Sequence, residues 1–235
     1  MKRVAVMQPY FLPYIGYFQL IGAVDEFIVY DDIQYTKRGW INRNRYLCEG
    51  RDRLFSLPLQ AGSSLADVRE RRLAAGFDRE ALLNRLREAY RQAPCFEETF
   101  PLVESVVRHD EANLFAYLLH SIRAVCSHLG IATPLTVSST LGTDRALAGA
   151  DRVIALCRRA GADTYINPIG GRELYAADAF ARHGLALRFL RSGDVRYPQF
   201  GDGFVPALSI VDVLMFNGRE ATRRLVDGAY ELLEP

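Results

Sequence analysis

Two short apolar strands, one short helix apart and each running straight into polar residues, dominate the first 45 residues of the chain. Residues 3 to 7 form an apolar run that stops at Gln8-Pro9, because proline has no N–H to give to a sheet ladder. Apolar side chains then recur at helical spacing over residues 14 to 24, and residues 26 to 30 (EFIVY) form a second strand ending at Asp31-Asp32. A strand, a crossover helix and a second strand in this order predict a parallel pair at the heart of an α/β sheet.

The rest of the chain extends that rhythm. Residues 45 to 48 and 54 to 57 flank Glu49-Gly50-Arg51-Asp52 and predict a hairpin. Residues 77 to 129 are helical: Asp78 caps the first helix, Pro94 stops it, and an amphipathic run from 111 to 129 closes at Gly130. Strands are expected at 134–137, 164–166 and 185–190. Helices at 145–160 and 172–183 close on Gly161 and Gly184, and two tail helices over 209–233 split at Asn217-Gly218. The expected fold is a three-layer, Rossmann-like α/β domain with a mostly parallel sheet and an inserted helical cap. Residues 1–60 and 131–208 would form the core, 61–130 the cap, and 209–235 helices packed on the core.

Charge narrows the partners. With 29 basic against 28 acidic residues, the net charge of +1 gives no overall field for DNA. The longest apolar runs fall short of the ~18 residues of a membrane span, and no leader pattern follows Met1. Cys48, Cys95, Cys126 and Cys157 are scattered, with no paired spacing for zinc, and read as reduced thiols. A cytoplasmic protein is expected, with no membrane partner and no metal site.

Ligands of open parallel sheets bind beyond the carboxyl ends of the strands. That rule selects Gln8 and Pro9 after the first strand, and Asp31 and Asp32 after the second. It selects Ser138, Ser139 and Thr140 after the third, Asn167, Pro168, Gly170 and Gly171 after the fourth, and Arg191, Ser192 and Gly193 after the last. Lys37, Arg38, Arg43 and Arg45 surround Trp40, Asn42 and Asn44, a composition suited to phosphate and a stacked ring, or simply to a solvated basic loop. Asp31 and Asp32 suit Mg²⁺ held with substrate phosphates, a general base, or a strand-exit turn. Ser138-Ser139 lacks a GxSxG frame, so a Ser–His–Asp hydrolase is disfavoured. The turn QPYFLPYIGY (8–17) resembles in spacing the GxFDxxHxGH signature of the nucleotidylyltransferase superfamily. Gly16 falls on its glycine, while Tyr14 and Tyr17 replace its two histidines.

Five segments together carry a broader resemblance: QPYFLPYIGYFQLI, DEFIVYDDIQYTKRGWINRNR, SSTL, GADTYINPIGG and FVPALSIVDVLMFNG. In this order they resemble the WbqC-like family over nearly the whole chain. That resemblance implies a place in bacterial O-antigen, other surface-polysaccharide or natural-product biosynthesis. It also implies an amide-forming transferase that attaches an amino acid such as glycine to the amino group of a nucleotide-linked amino sugar. On that implication Asp32 is the base, Lys37 and Arg43 hold phosphate, and Asn44 and Asn167 orient the reacting groups. Gln8, Tyr14, Gly16, Tyr17, Asp31, Trp40, Asn42, Ser138, Ser139, Gly170 and Gly171 complete the substrate site. The acyl donor stays open between a free amino acid activated by ATP and Mg²⁺, a carrier thioester and an aminoacyl-tRNA. Two other functions compete: a nucleotidylyltransferase with a degenerate histidine motif, and a noncatalytic nucleotide-sugar-binding scaffold. Oligomeric state stays open too, since the apolar LSIVDVLMF segment fits either a core or a second subunit.

Overall fold

The computed structural model describes residues 1–201 and 203–235. Six strands form one sheet in the order β5-β2-β1-β6-β7-β8. They are β1 (Arg3–Met7), β2 (Glu26–Val29), β5 (Leu135–Val137), β6 (Thr164–Pro168), β7 (Ala186–Ser192) and β8 (Tyr230–Leu233). The first five run parallel, and β8 closes the edge antiparallel to β7. Counted by their order along the chain, these strands follow the doubly wound pattern 3-2-1-4-5-6, whose switch point lies between the first and fourth.

Successive side chains of a strand point to opposite faces, and the central strands are apolar on both. Val4, Val6, Ile28, Tyr165, Leu187 and Phe189 form one buried cluster with α5 (Gly149–Arg159) and α6 (Ala177–Ala181). Ala5, Phe27, Val29, Ile166 and Leu190 face the other way, into a larger cluster with α1 (Ile15–Gly22) and α7 (Ile210–Gly228). These are the three layers. The same larger cluster continues without a break into α2 (Arg79–Tyr90), α3 (Phe96–Val107) and α4 (Leu114–Leu129). The hairpin β3 (Arg43–Cys48) and β4 (Arg51–Ser56) forms a separate two-stranded sheet. The Tyr90 hydroxyl accepts the Leu47 N–H and ties this hairpin to α2.

Side-chain caps explain where the helices begin. Asp78 accepts the Ala81 N–H and Asn113 the Ala116 N–H, each satisfying a donor that the first turn leaves free. Gly130 ends α4 with φ 70°, a left-handed conformation that glycine adopts without strain.

Three expected elements are corrected. The helix expected from residue 145 begins only at Gly149, because the Asp144 carboxylate accepts the Ala146 N–H and holds a local turn instead. The helix expected over 172–183 is a 3-10 segment (Ile169–Leu174) followed by the short α6. Leu174 is exposed there and Phe180 is the one buried anchor. The tail does break at Gly218 (φ 69°), where the Glu98 carboxylate accepts the Arg219 N–H and restarts the helix. Beyond it, residues 230–233 pair with β7 as a strand rather than ending a helix. Four residues (YELL) are too few to distinguish the two by period, and the open edge of β7 decides.

Candidate functional site

The strands at the switch point part company early. β1 and β6 pair only at Arg3–Thr164 and Val4–Tyr165, whereas β6 and β7 pair along five residues. Beyond Val4 the two strands splay, and a cavity of about 410 Å³ opens between their carboxyl ends. Val6, Met7 and Gln8 line it from β1, Tyr30 and Ile33 from beyond β2, and Asn167, Pro168, Gly170 and Gly171 from β6. Tyr10, Val153, Leu174 and Tyr175 complete the wall, so among the described residues no charged side chain lines it. A cavity of this size and place is where open α/β sheets hold small molecules. Burial pushes the Tyr10, Tyr30 and Tyr175 hydroxyls up from their ordinary range, with Arg152 pulling Tyr30 the other way. At neutral pH all three are therefore neutral donors.

Asn167 is buried on this rim. Its side-chain carbonyl accepts the Tyr165 hydroxyl at 2.9 Å and its amide donates to the Pro168 carbonyl at 3.0 Å. Gly171 is needed for that pose: a Cβ there would lie 2.3 Å from Asn167 Nδ2. Open space surrounds the same position at Gly170.

Behind the cavity, the ends of β2 and β5 are tied together. Asp31 accepts the Ser138 hydroxyl (2.8 Å), the Ser139 N–H (2.9 Å) and the Ser139 hydroxyl (2.7 Å). The Ser138 hydroxyl lies equally within reach of Asp32, and its single proton cannot serve both carboxylates at once. Arg152 of α5 offsets the second negative charge through a 2.6 Å ion pair with Asp32, the two side chains being 3% and 1% exposed. Its other guanidinium nitrogen donates to the Asp144 carbonyl.

These distances reassign several expected roles. Asp32 is sealed behind Arg152 and Ser138, so the base toward a bound amine is not in reach of solvent or cavity. Asp31, Ser138 and Ser139 satisfy one another and leave no carboxylate facing outward for Mg²⁺. Asn44 donates to the Phe11 and Leu12 carbonyls and accepts the Arg45 N–H, which holds the turn after β1 against the hairpin. Asn42 accepts the Tyr35 hydroxyl and donates to the Leu57 carbonyl. Tyr17 is buried and donates to the Gln8 carbonyl. The Tyr14 ring lies over Gly16, 2.4 Å from where a Cβ would stand. Gln8, Asn167, Gly170 and Gly171 share the switch-point cavity. Trp40 lies instead at a second cleft with Tyr14 and Arg45, and Tyr10 borders both. Arg43 and Arg45 each place a guanidinium over the Trp40 ring, at 5.7 and 5.4 Å, while Lys37 is exposed nearby in sequence.

A model of the WbqC-like protein family matches residues 8–224. The chain belongs to the WbqC-like family. The matched span takes in every cavity residue except Val6 and Met7. This WbqC-like chain is also 33% identical over 224 residues to the uncharacterized protein Rv1507c of Mycobacterium tuberculosis, covering 94% of this chain and 96% of that one. No solved structure matches it. No described helix of this family member is long and apolar enough to cross a membrane.

Sequence reasoning missed Tyr10, Tyr30, Tyr175 and Arg152. Tyr30 stands at the carboxyl end of its strand, and the rule that selected Asp31 applied to it equally. Arg152 carried a signal as well, a charge set directly beside the apolar Val153 and Ile154 of its helix.

Proposed function

We propose that this WbqC-like protein is a transferase that forms an amide on the amino group of a nucleotide-linked amino sugar, with the sugar seated in the switch-point cavity. The observation that carries this reading is the lining of that cavity: two amides, Gln8 and Asn167, and three tyrosines, with no charged side chain among the described residues. Neutral donors and acceptors beside aromatic faces suit a hydroxyl-bearing ring better than they suit a bare phosphate. In the reaction the amine nitrogen attacks the acyl carbonyl and a C–N bond forms. The donor's oxygen or sulfur departs with the electron pair of the broken bond, and the proton lost by the amine passes to that atom or to water. The tyrosine hydroxyls and the Gly170-Gly171 backbone are the groups placed to donate to the developing oxyanion. Since Asp32 is sealed, the amine must arrive already neutral, and the rate should rise with pH through the ionisation of the substrate amine.

The test is incubation of the protein with a nucleotide-linked amino sugar and glycine, presented in turn with ATP and Mg²⁺, as a thioester and as glycyl-tRNA, with mass spectrometry of the sugar. An N-glycyl product with any donor supports the transferase. Saturable binding of the sugar with no product from all three supports a noncatalytic binding protein, which the absence of a reachable carboxylate favours as the second reading.

A further inference from the structure

The second cleft, of about 190 Å³, is built unlike the first. Tyr10, Pro13, Tyr14 and Trp40 line it, together with Asn44 and Arg45. Trp40 is 41% and Tyr14 39% exposed, large values for rings on a protein surface. The Asn44 side chain is already committed to backbone groups, so Arg45 is the one side chain of these six that brings charge. Its guanidinium forms an ion pair with Asp52 at 3.3 Å, which offsets part of its charge, and donates to the Ala207 carbonyl, while among the described residues its buried Nε has no partner. Arg43 is pinned likewise, to the Gly39 carbonyl, and keeps its charge within 6 Å of the Trp40 ring. Lys37 and Arg38 stand exposed on the same loop. Such a cleft offers flat apolar faces and fixed positive charge but few hydrogen bonds, a poor fit to a sugar and a good fit to a planar ring carrying an anion. Tyr10 borders both this cleft and the switch-point cavity, so the two lie side by side.

We propose that this cleft is a nucleobase subsite, taking the base of a nucleoside diphosphate against Trp40, with Arg43 and Arg45 neutralising its diphosphate. The assignment rests on the proposed use of a nucleotide-linked sugar, and it names where the nucleotide part of that substrate sits.

Trp40 is the only tryptophan in the chain, so its fluorescence reports on the cleft alone. The full-length protein is titrated with uridine, adenosine, cytidine, guanosine and thymidine diphosphates, and separately with inorganic pyrophosphate. Expected is saturable quenching by at least one nucleoside diphosphate at a concentration where pyrophosphate leaves the signal unchanged. By calorimetry, Trp40→Ala should weaken that binding roughly 10- to 100-fold, the scale of one base stacked on one ring, and Trp40→Phe should restore most of it. Equal quenching by pyrophosphate, binding that Trp40→Ala leaves intact, or no binding of any nucleoside diphosphate overturns the proposal. Diphosphate quenching without amide formation leaves this subsite standing and removes the transferase. Amide formation that Trp40→Ala leaves unchanged does the reverse.

Discussion

Replacing Arg152 by Met should be among the most damaging single changes to the stability of this protein. The two side chains of the Asp32–Arg152 pair are almost wholly removed from water and meet at 2.6 Å. Methionine fills much of the volume of the arginine stem, so the lost packing is small and the main effect is electrostatic. Asp32 would keep the Ser138 hydroxyl, which it shares with Asp31, and would hold an uncompensated charge beside a second carboxylate. Removing one partner of a buried pair costs about 3–5 kcal/mol. For a chain of this size that corresponds to a fall in Tm of roughly 6–20 °C. Urea unfolding of wild type, Arg152→Met, Asp32→Asn and the double variant measures the stability loss and the coupling between the sites. The double variant removes both charges, so it should recover part of the loss of the Arg152→Met single variant. A loss under about 1 kcal/mol for Arg152→Met, or a double variant as unstable as the sum of the singles, would refute this account of the network.

Two further outcomes follow from buried polar groups. Asp212 accepts the Tyr90 hydroxyl, the Tyr197 hydroxyl and the Gln199 amide, yet burial outweighs them and raises its carboxyl above the ordinary 3.8. A raised folded-state value means that protonation favours the fold. This stability is complete below the unfolded value and is lost as pH rises through the folded one. Wild type compared with Asp212→Asn should therefore gain stability as pH falls from neutral toward 3.8, and a difference that is flat with pH in urea titrations would contradict the assignment. Gly171→Ala should push Asn167 off its present pose, since its new Cβ meets the far end of a movable side chain. Ligand affinity measured by calorimetry should drop about tenfold, and stability should fall by about 1–3 kcal/mol, because the buried Tyr165 hydroxyl loses its Asn167 acceptor.

The central strands were legible because parallel strands covered on both faces are apolar at nearly every position, which residues 4–7 and 27–29 display. The carboxyl-end rule then located the rim. Composition and spacing did not convey which rim side chains were already spoken for. Asp32 has its partner 120 positions away on the helix of the opposite layer, and Asn44 spends its amide on carbonyls more than 30 positions earlier. Polar residues grouped in a strand exit thus divide into those that hold the rim together and those that face the ligand. Only long-range pairing separates the two sets. The element errors have a local origin: Asp144 caps its own turn, and the residues before Phe180 bring no apolar stripe to anchor a longer helix.

The switch-point cavity has one stiff wall and one compliant wall. On the β2 side, Tyr30 and Ile33 adjoin carboxylates clamped by two serines and a guanidinium, so little there can shift without breaking charge-assisted bonds. On the β6 side, Gly170, Gly171 and Leu174 ride on a single 3-10 segment with no buried residue. Accommodation of a bulkier or smaller guest therefore falls to the β6 side, and relatives that hold a different small molecule there should differ first between positions 169 and 175.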